Sequence, residues 1–329
     1  MTRIGIIGGG AWGTALALVA RRAGHEALIW AREPDVVEVI NIRHENPRFL
    51  PGIKLDAAIE ATGVLDELIT QCGLIALVAP AQHVRGIAKA LAKLGKTPPL
   101  LICAKGIEQT SGLLMTEVLG EALPGGALAV LSGPTFAREV AEAKPTAVTI
   151  AASDRALAER MAQAFGGRAF RPYVSDDPLG AQIGGAVKNV LAIASGIAIG
   201  RGLGENARAA LITRGFAELT RLALKKGARM ETLGGLSGLG DLILTATSDQ
   251  SRNYALGRAL GQGTTLATHL SSRESVAEGV TSAPAVVELG KRLGVELPIC
   301  AAIDAVLHKG AAIDAAIGAL LDRPFKAEA

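Results

Sequence analysis

Aromatic residues are scarce in this chain, at 3% of 329 positions, and cysteine occurs only at Cys72, Cys103 and Cys300. Three distant thiols give neither a metal-ligand spacing nor an even set for a disulfide framework. They point to a reducing compartment and a cytoplasmic location. Histidine is equally dispersed, at His25, His44, His83, His269 and His308, so no metal site is expected. Charge is also thin. Charged residues make up 20% of the chain, the formal net charge is +3, and lysine and arginine are scattered rather than run together. No nucleic-acid-binding face is expected from such a pattern. There is no basic-then-apolar leader: TRIGIIGGG goes straight into a strand and a glycine loop, so no secretion signal is expected.

What the chain does have is aliphatic bulk and glycine: 49% hydrophobic residues and 40 glycines over a length sufficient for two domains. The first half alternates short apolar runs with helical periodicity. Strands are expected at Arg3–Ile7, Glu26–Trp30, Leu74–Ala79, Leu100–Ala104, Leu128–Leu131 and Thr146–Ala151, with helices at Trp12–Ala23, Leu65–Gln71, Val84–Leu94 and Leu113–Leu119 between several of them. Continuous apolar strands separated by helices imply a parallel sheet buried on both faces. After about Asp177 strand signals vanish. Helical periods follow at Leu179–Ile199, Asn206–Lys226, Ser251–Leu260, Ala283–Leu293, Ile299–His308 and Ala312–Leu320. The expectation is an α/β protein: a Rossmann-type, doubly wound, mostly parallel sheet over residues 1–177, then an all-helical domain over 178–329.

Dinucleotide binding rests on Gly8-x-Gly10-x-x-Gly13, directly after the first strand and opening a helix. Gly8 makes the tight turn, Gly10 lets backbone approach a pyrophosphate, and Gly13 lets helix and strand pack closely. The phosphates would rest on the helix N-terminus. At the end of the second strand, where an acid would mark NAD, stands Arg32, followed by Glu33. A guanidinium there suits the 2′-phosphate of NADP, while Glu33 keeps NAD open. A solvated Arg32–Glu33 pair is the plainer alternative. NADP is slightly favoured over NAD.

One charge stands alone in a long apolar stretch. Between Asp177 and Arg201 the only ionisable side chain is Lys188. A membrane span is weighed for 178–200 on length, but Gln182, Lys188, Asn189 and many glycines speak against it. On a helix, Lys188 is flanked by Gly184, Gly185, Leu191 and Ala192, with Ala181 and Ser195 extending the face. Such small neighbours are read as space for a ligand to approach the ammonium. Burial and nearby cations would favour the neutral amine and fit it for acid–base work; the alternative is a lysine snorkelling to the domain edge. Asp241, alone in LSGLGD, would orient the lysine or a substrate hydroxyl, or cap a helix from near Leu242. Lys105 and Gly133-Pro134-Thr135 follow later strands at the ligand-binding edge, unless Lys105 is merely solvated and Gly133-Pro134 a simple turn. Ser251-Arg252-Asn253 opens a helix and makes a mount for a phosphate dianion, with Ser251 as a plain cap the alternative. The set suggests hydride transfer to a small phosphorylated carbonyl.

The chain resembles bacterial NAD(P)-dependent sn-glycerol-3-phosphate dehydrogenases. The resemblance is carried by GGGAWGTALA (8–17), NPRFLPG (46–52), AKGIE (104–108), SGPTFAREV (132–140), GGAVKNVLAIASG (184–196), NARAALITRG (206–215), GLSGLGDLILT (235–245), SRNYALG (251–257) and VAEGV (276–280). It implies that Lys188 is the proton acceptor at the C2 oxygen and that Asp241 holds substrate and lysine. It also implies that Lys105, Gly133, Thr135, Ser251, Arg252 and Asn253 bind glycerol 3-phosphate. Cofactor positions would be Ala11, Trp12, Arg32, Lys105, Ala137, Arg252, Val276 and Glu278, the last visible only through the resemblance. Ala11 stands where many members have serine, Thr135 replaces a common serine, and the Gly200-Arg201-Gly202 turn often carries Asp. The alternatives are a related two-domain dehydrogenase of a β-hydroxy acid and a non-catalytic NAD(P)-binding regulator. A homodimer is the base-rate expectation.

Overall fold

A computed structural model describes residues 2–95, 97–271 and 277–324. Ten strands occur in chain order: β1 Arg3–Ile7, β2 Glu26–Trp30, β3 Glu45–Asn46, β4 Leu50–Lys54, β5 Ile59–Thr62, β6 Leu74–Leu77, β7 Leu100–Ile102, β8 Leu128–Ser132, β9 Thr146–Ala151 and β10 Phe170–Ser175. β3 and β4 pair as an antiparallel hairpin. The remainder form one sheet in the order β10-β9-β8-β7-β6-β1-β2-β5. From β5 to β8 every pairing is parallel. β9 then runs antiparallel to β8, and β10 parallel to β9. Hairpin aside, the parallel strands have the doubly wound order in which the direction of winding reverses between β1 and β6.

The alternation of buried residues explains why this sheet is covered on both sides. Ile4, Ile6 and Ile29 belong to one core cluster, and Ile7, Leu28, Ile75 and Leu77 to another. All the strands expected from sequence are present. β5 and β10 were not foreseen, nor were the helices Pro34–Arg43 and Arg155–Phe165. The two missed strands of the main sheet are its edges. β5 is only four residues long, and β10 buries Phe170 alone and carries Pro172, which is tolerated at an edge.

From Pro178 onward the described elements are helical. The central helix Pro178–Gly200 starts at Asp177, whose carboxylate accepts from the Gly180 N–H at 2.8 Å and the Arg229 N–H at 2.9 Å. It is the one described helix long and apolar enough to cross a membrane, and 89% of its most apolar window is buried inside the fold. The helices Arg252–Gly261, Gly204–Lys226, Asp241–Thr247 and Glu278–Leu293 pack around it. Glycine sets the closest crossing. A methyl group on Gly196 would lie 2.2 Å from the Tyr254 carbonyl, and one on Gly257 would lie 2.0 Å from the Ile193 carbonyl. The two backbones therefore touch where side chains would otherwise hold helices about 8–10 Å apart. A buried carboxylate substitutes for a missing local cap elsewhere: Glu218 accepts from the N–H groups of Ile299 (2.7 Å) and Cys300 (3.2 Å) at the start of Pro298–His308.

The crossing gives the first prediction. Gly-to-Ala inside a helix ordinarily gains up to about 1 kcal/mol. Here Gly257→Ala should instead lose about 1–3 kcal/mol through overpacking against Ile193. Urea denaturation measures the change, and an unchanged or raised midpoint would contradict the backbone contact.

Candidate active site

The winding reversal brings several candidate residues to one edge of the sheet. Gly8 follows β1, Arg32 follows β2, Lys105 follows β7 and Gly133 follows β8, all at carboxyl ends of parallel strands. Gly8 has φ +128°, which side-chain-bearing residues rarely adopt. A methyl group on Gly13 would lie 1.9 Å from the Gly8 carbonyl, so the helix Ala11–Arg22 sits directly on the turn. A Cβ on Gly10 would meet nothing within 4 Å, and the helix has no side-chain cap. Open space in front of uncapped N–H groups suits a pyrophosphate. Ala11 and Trp12 occupy the first helical turn. Arg32 is exposed and pairs with Glu33 at 3.1 Å. Ala137 opens the short helix Ala137–Ala141.

The second group is built on the central helix. Lys188 is 5% exposed and does not snorkel. Its ammonium donates to Asp241 Oδ1 at 2.5 Å and to Thr245 Oγ1 at 2.9 Å. The other carboxylate oxygen of Asp241, which has no exposed surface, accepts from Lys105 Nζ at 2.6 Å. Lys105 also donates to the Gly133 carbonyl at 3.3 Å, and that carbonyl accepts from the Thr135 hydroxyl at 3.3 Å. Asp241 begins the helix Asp241–Thr247 but does not cap it; Gly240 is the cap residue.

The small residues beside Lys188 do something other than leave ligand space. A methyl group on Gly184 would lie 2.4 Å from the Ser237 carbonyl, and one on Gly185 would lie 3.3 Å from Lys105 Cγ. Ser195 donates to the Ala246 carbonyl at 2.7 Å. Protein fills that face. The π-helical turn Leu236–Gly240 lies against Gly184, and this seating delivers Asp241 to the lysine.

Two lysines share one carboxylate, so one positive charge is left uncompensated. Burial pushes the Lys188 ammonium down to about 8; Lys105 pushes the same way, and Asp241 opposes both. Burial pushes Asp241 up, but Lys105 and Lys188 outweigh it and hold the carboxyl below its ordinary value.

A third group lies at the start of the helix Arg252–Gly261. Ser251 caps it, its Oγ accepting from the Tyr254 N–H at 3.2 Å. Arg252 is exposed. Asn253 is buried, and its Oδ1 accepts from the Gly279 N–H at 2.8 Å while its Nδ2 donates to Asn189 Oδ1 at 3.0 Å. Asn189 donates in turn to Glu278 Oε2 at 3.4 Å. Asn253 and Glu278 are thus joined through Asn189, next in sequence to Lys188. The glycine loop, Arg32 and Ala137 share no hydrogen bond or ion pair with the lysine cluster. Val276 lies outside the described residues. Sequence reasoning gave no role to Thr245 or Asn189. Thr245 is four residues after Asp241 on one helix, a spacing that places both on one face.

A doubly wound nucleotide edge facing a buried lysine–carboxylate cluster defines a nicotinamide-dependent dehydrogenase with a separate helical half. The family models for the N-terminus and the C-terminus of NAD-dependent glycerol-3-phosphate dehydrogenase match residues 3–158 and 177–318. A glycerol-3-phosphate dehydrogenase [NAD(P)+] of Rhodospirillum rubrum is 58% identical over 327 residues, covering 99% of this chain and 93% of the relative. One of Caulobacter vibrioides is 57% identical over 328 residues, covering 99% of each. The crystal structure of glycerol-3-phosphate dehydrogenase from Coxiella burnetii superposes with a TM-score of 0.94 at 36% identity, covering 98% of this chain and 99% of that one. The chain belongs to the NAD-dependent glycerol-3-phosphate dehydrogenase family. Membership decides against the hydroxy-acid and regulator alternatives.

The cluster predicts its own fragility. Asp241→Asn leaves Lys105 and Lys188 without their carboxylate, and should destabilise the fold by about 3–5 kcal/mol near neutral pH. A wild-type thermal midpoint for the variant would contradict the buried double pair.

Proposed function

We propose that the enzyme interconverts sn-glycerol 3-phosphate and dihydroxyacetone phosphate with NAD(P), using Lys188 as the proton carrier. The observation that carries this is the buried ammonium of Lys188, held by a carboxylate at the carboxyl edge of the sheet and brought by its surroundings to about 8. A group that titrates near the working pH can both take and give a proton.

In the oxidising direction neutral Lys188 takes the C2 hydroxyl proton. In the reducing direction its charged form polarises the ketone oxygen and then protonates it. A nicotinamide dinucleotide held at the glycine loop would supply the hydride chemistry at C2. Asp241 and Thr245 fix the ammonium; Lys105 adds positive charge beside the same oxygen. Arg252, Ser251 and Asn253 hold the substrate phosphate through the guanidinium and the helix N-terminus, so binding energy remote from C2 positions the reacting carbon. Gly133 and Thr135, next to Lys105, would contact the substrate from the sheet side. Gly8, Gly10, Ala11, Trp12 and Gly13 hold the pyrophosphate, with Arg32, Lys105, Ala137, Arg252, Val276 and Glu278 along the cofactor. In this reading residues 1–177 form the dinucleotide-binding domain and 178–329 the substrate and catalytic domain, with Lys105, Gly133 and Thr135 reaching the substrate from the first and Arg252, Val276 and Glu278 reaching the cofactor from the second. We further infer a cytoplasmic homodimer that supplies glycerol 3-phosphate for phospholipid synthesis, with NADP slightly favoured over NAD.

The direct test mixes protein, dihydroxyacetone phosphate and NADH or NADPH, and follows the nicotinamide absorbance. No oxidation with either cofactor rejects the proposal. The pH dependence has a fixed sign. Oxidation needs neutral Lys188, so its rate should rise as pH passes about 8; reduction needs the cation, so its rate should fall there. Lys188→Ala should lower kcat by about 10²–10⁴-fold with NADH binding retained. Arg252→Ala should chiefly raise KM for the phosphorylated substrate; an effect confined to cofactor affinity would reassign the mount.

A further inference from the structure

The segment AKGIE contributes Lys105 to the cluster, but its final residue has no place in the mechanism. Glu108 is 5% exposed, and both oxygens of its carboxylate are engaged by Arg85 and Ser111. Arg85 grips it from two nitrogens, Nε to Oε1 and Nη2 to Oε2, each at 2.8 Å. The Ser111 hydroxyl donates to Oε2 at 2.5 Å. Arg85 also reaches Glu121 at 2.8 Å, on the helix Met115–Ala122 that follows the loop. The guanidinium therefore ties the loop to the element at its far end.

Further contacts make the same loop a bridge between the two halves. Gln82 Nε2 donates to the Ile107 carbonyl at 2.8 Å, and Gln82 Oε1 accepts from the Gln109 N–H at 3.0 Å. From the other side, the Thr281 carbonyl accepts from Gln109 Nε2 at 3.0 Å, and Arg292 donates to the Ser111 carbonyl at 2.8 Å. Ile107 and Leu114 are buried in the core of the helical half, not in the cores flanking the sheet. At Gly106 a methyl group would come 2.8 Å from Ala81 Cβ, so the chain next to Lys105 has no room to shift on that side.

We propose that Glu108 is a positioning residue: held by Arg85 and Ser111, it fixes the loop that carries Lys105 and so sets where the Lys105 ammonium meets Asp241. This rests on the reading of Lys105 and Asp241 as parts of the active site. The bidentate pair supplies direction as well as attraction, because two parallel N–H···O bonds fix both planes. Glu108 touches neither substrate nor cofactor; it acts through the geometry of Lys105.

A double-mutant cycle tests it. Glu108→Gln keeps shape and removes the charge that Arg85 grips; Arg85→Lys keeps the cation and removes the fork. Each is measured alone and combined with Lys105→Ala, for kcat and KM with dihydroxyacetone phosphate and NADH, and for NADH affinity by fluorescence. Each single variant should lower kcat/KM by about 10–100-fold, the loss expected from misplacing a group by about 1 Å. Because Lys105 is also assigned to the cofactor, any loss of NADH affinity in the single variants should vanish in the Lys105→Ala background. In the Lys105→Ala background neither substitution should cause further loss. A similar loss in that background, or wild-type kcat/KM in the single variants, overturns the proposal. Should Lys105→Ala itself prove as active as wild type, the reading of Lys105 falls first. If Glu108→Gln does not fold, Arg85→Lys carries the cycle alone.

Discussion

A single buried carboxylate shared by two lysines organises this molecule. Asp241 has no exposed surface, and each of its oxygens accepts a short bond from a different ammonium. A lone charge in that position would be expensive to bury, and so would either lysine alone. Together they leave one excess positive charge inside the fold. Burial lowers Lys188 to about 8; Asp241 limits the fall, and Lys105 adds a smaller push downward. Removing one lysine would leave the other still paired with Asp241, whereas removing Asp241 would strand both ammonium groups. The carboxylate is therefore the member of the cluster that the fold can least lose.

Glycine packing makes the cluster possible. Gly184 admits the Leu236–Gly240 turn against the central helix, and Asp241 follows that turn directly. Gly196 and Gly257 bring the Arg252–Gly261 helix, capped by Ser251, against the same central helix. The third participant, Lys105, arrives from the other half of the molecule on a loop whose Ile107 is buried in the helical core. The two halves are thus joined by a loop that carries one partner of Asp241. Relative motion of the halves would be felt at Asp241.

Much of this was legible in the residues. The apolar runs marked the inner strands, the glycine fingerprint marked the nucleotide edge, and the isolation of Lys188 marked the site. The edge strands β5 and β10 were not legible for separate reasons: β5 has only four residues in which to show a period, and β10 buries Phe170 alone. The reversal of β9 was invisible for a different reason: strand direction depends on how the chain returns, not on its local composition. The glycines beside Lys188 were legible as small but not as to why. The same residues suit open space or a close backbone, and only the position of Ser237 decides between them. Thr245 and Asn189 went unassigned because a threonine or asparagine on a helix carries no signal until its neighbours are known.

By itself, then, the sequence determined the chemistry available: a nucleotide-binding turn, a lysine that cannot be solvated within its own helix, and an acid in an otherwise apolar turn. Those follow from local patterning, because burial and turn geometry are written in nearby residues. Tertiary structure alone decided the electrostatics. Lys105, Lys188 and Asp241 are separated by 83 and 53 positions along the chain, and their charges interact only because helix crossing and loop insertion bring them within 3 Å. Coulombic interaction falls with distance in space and strengthens with burial, and neither quantity is contained in sequence separation.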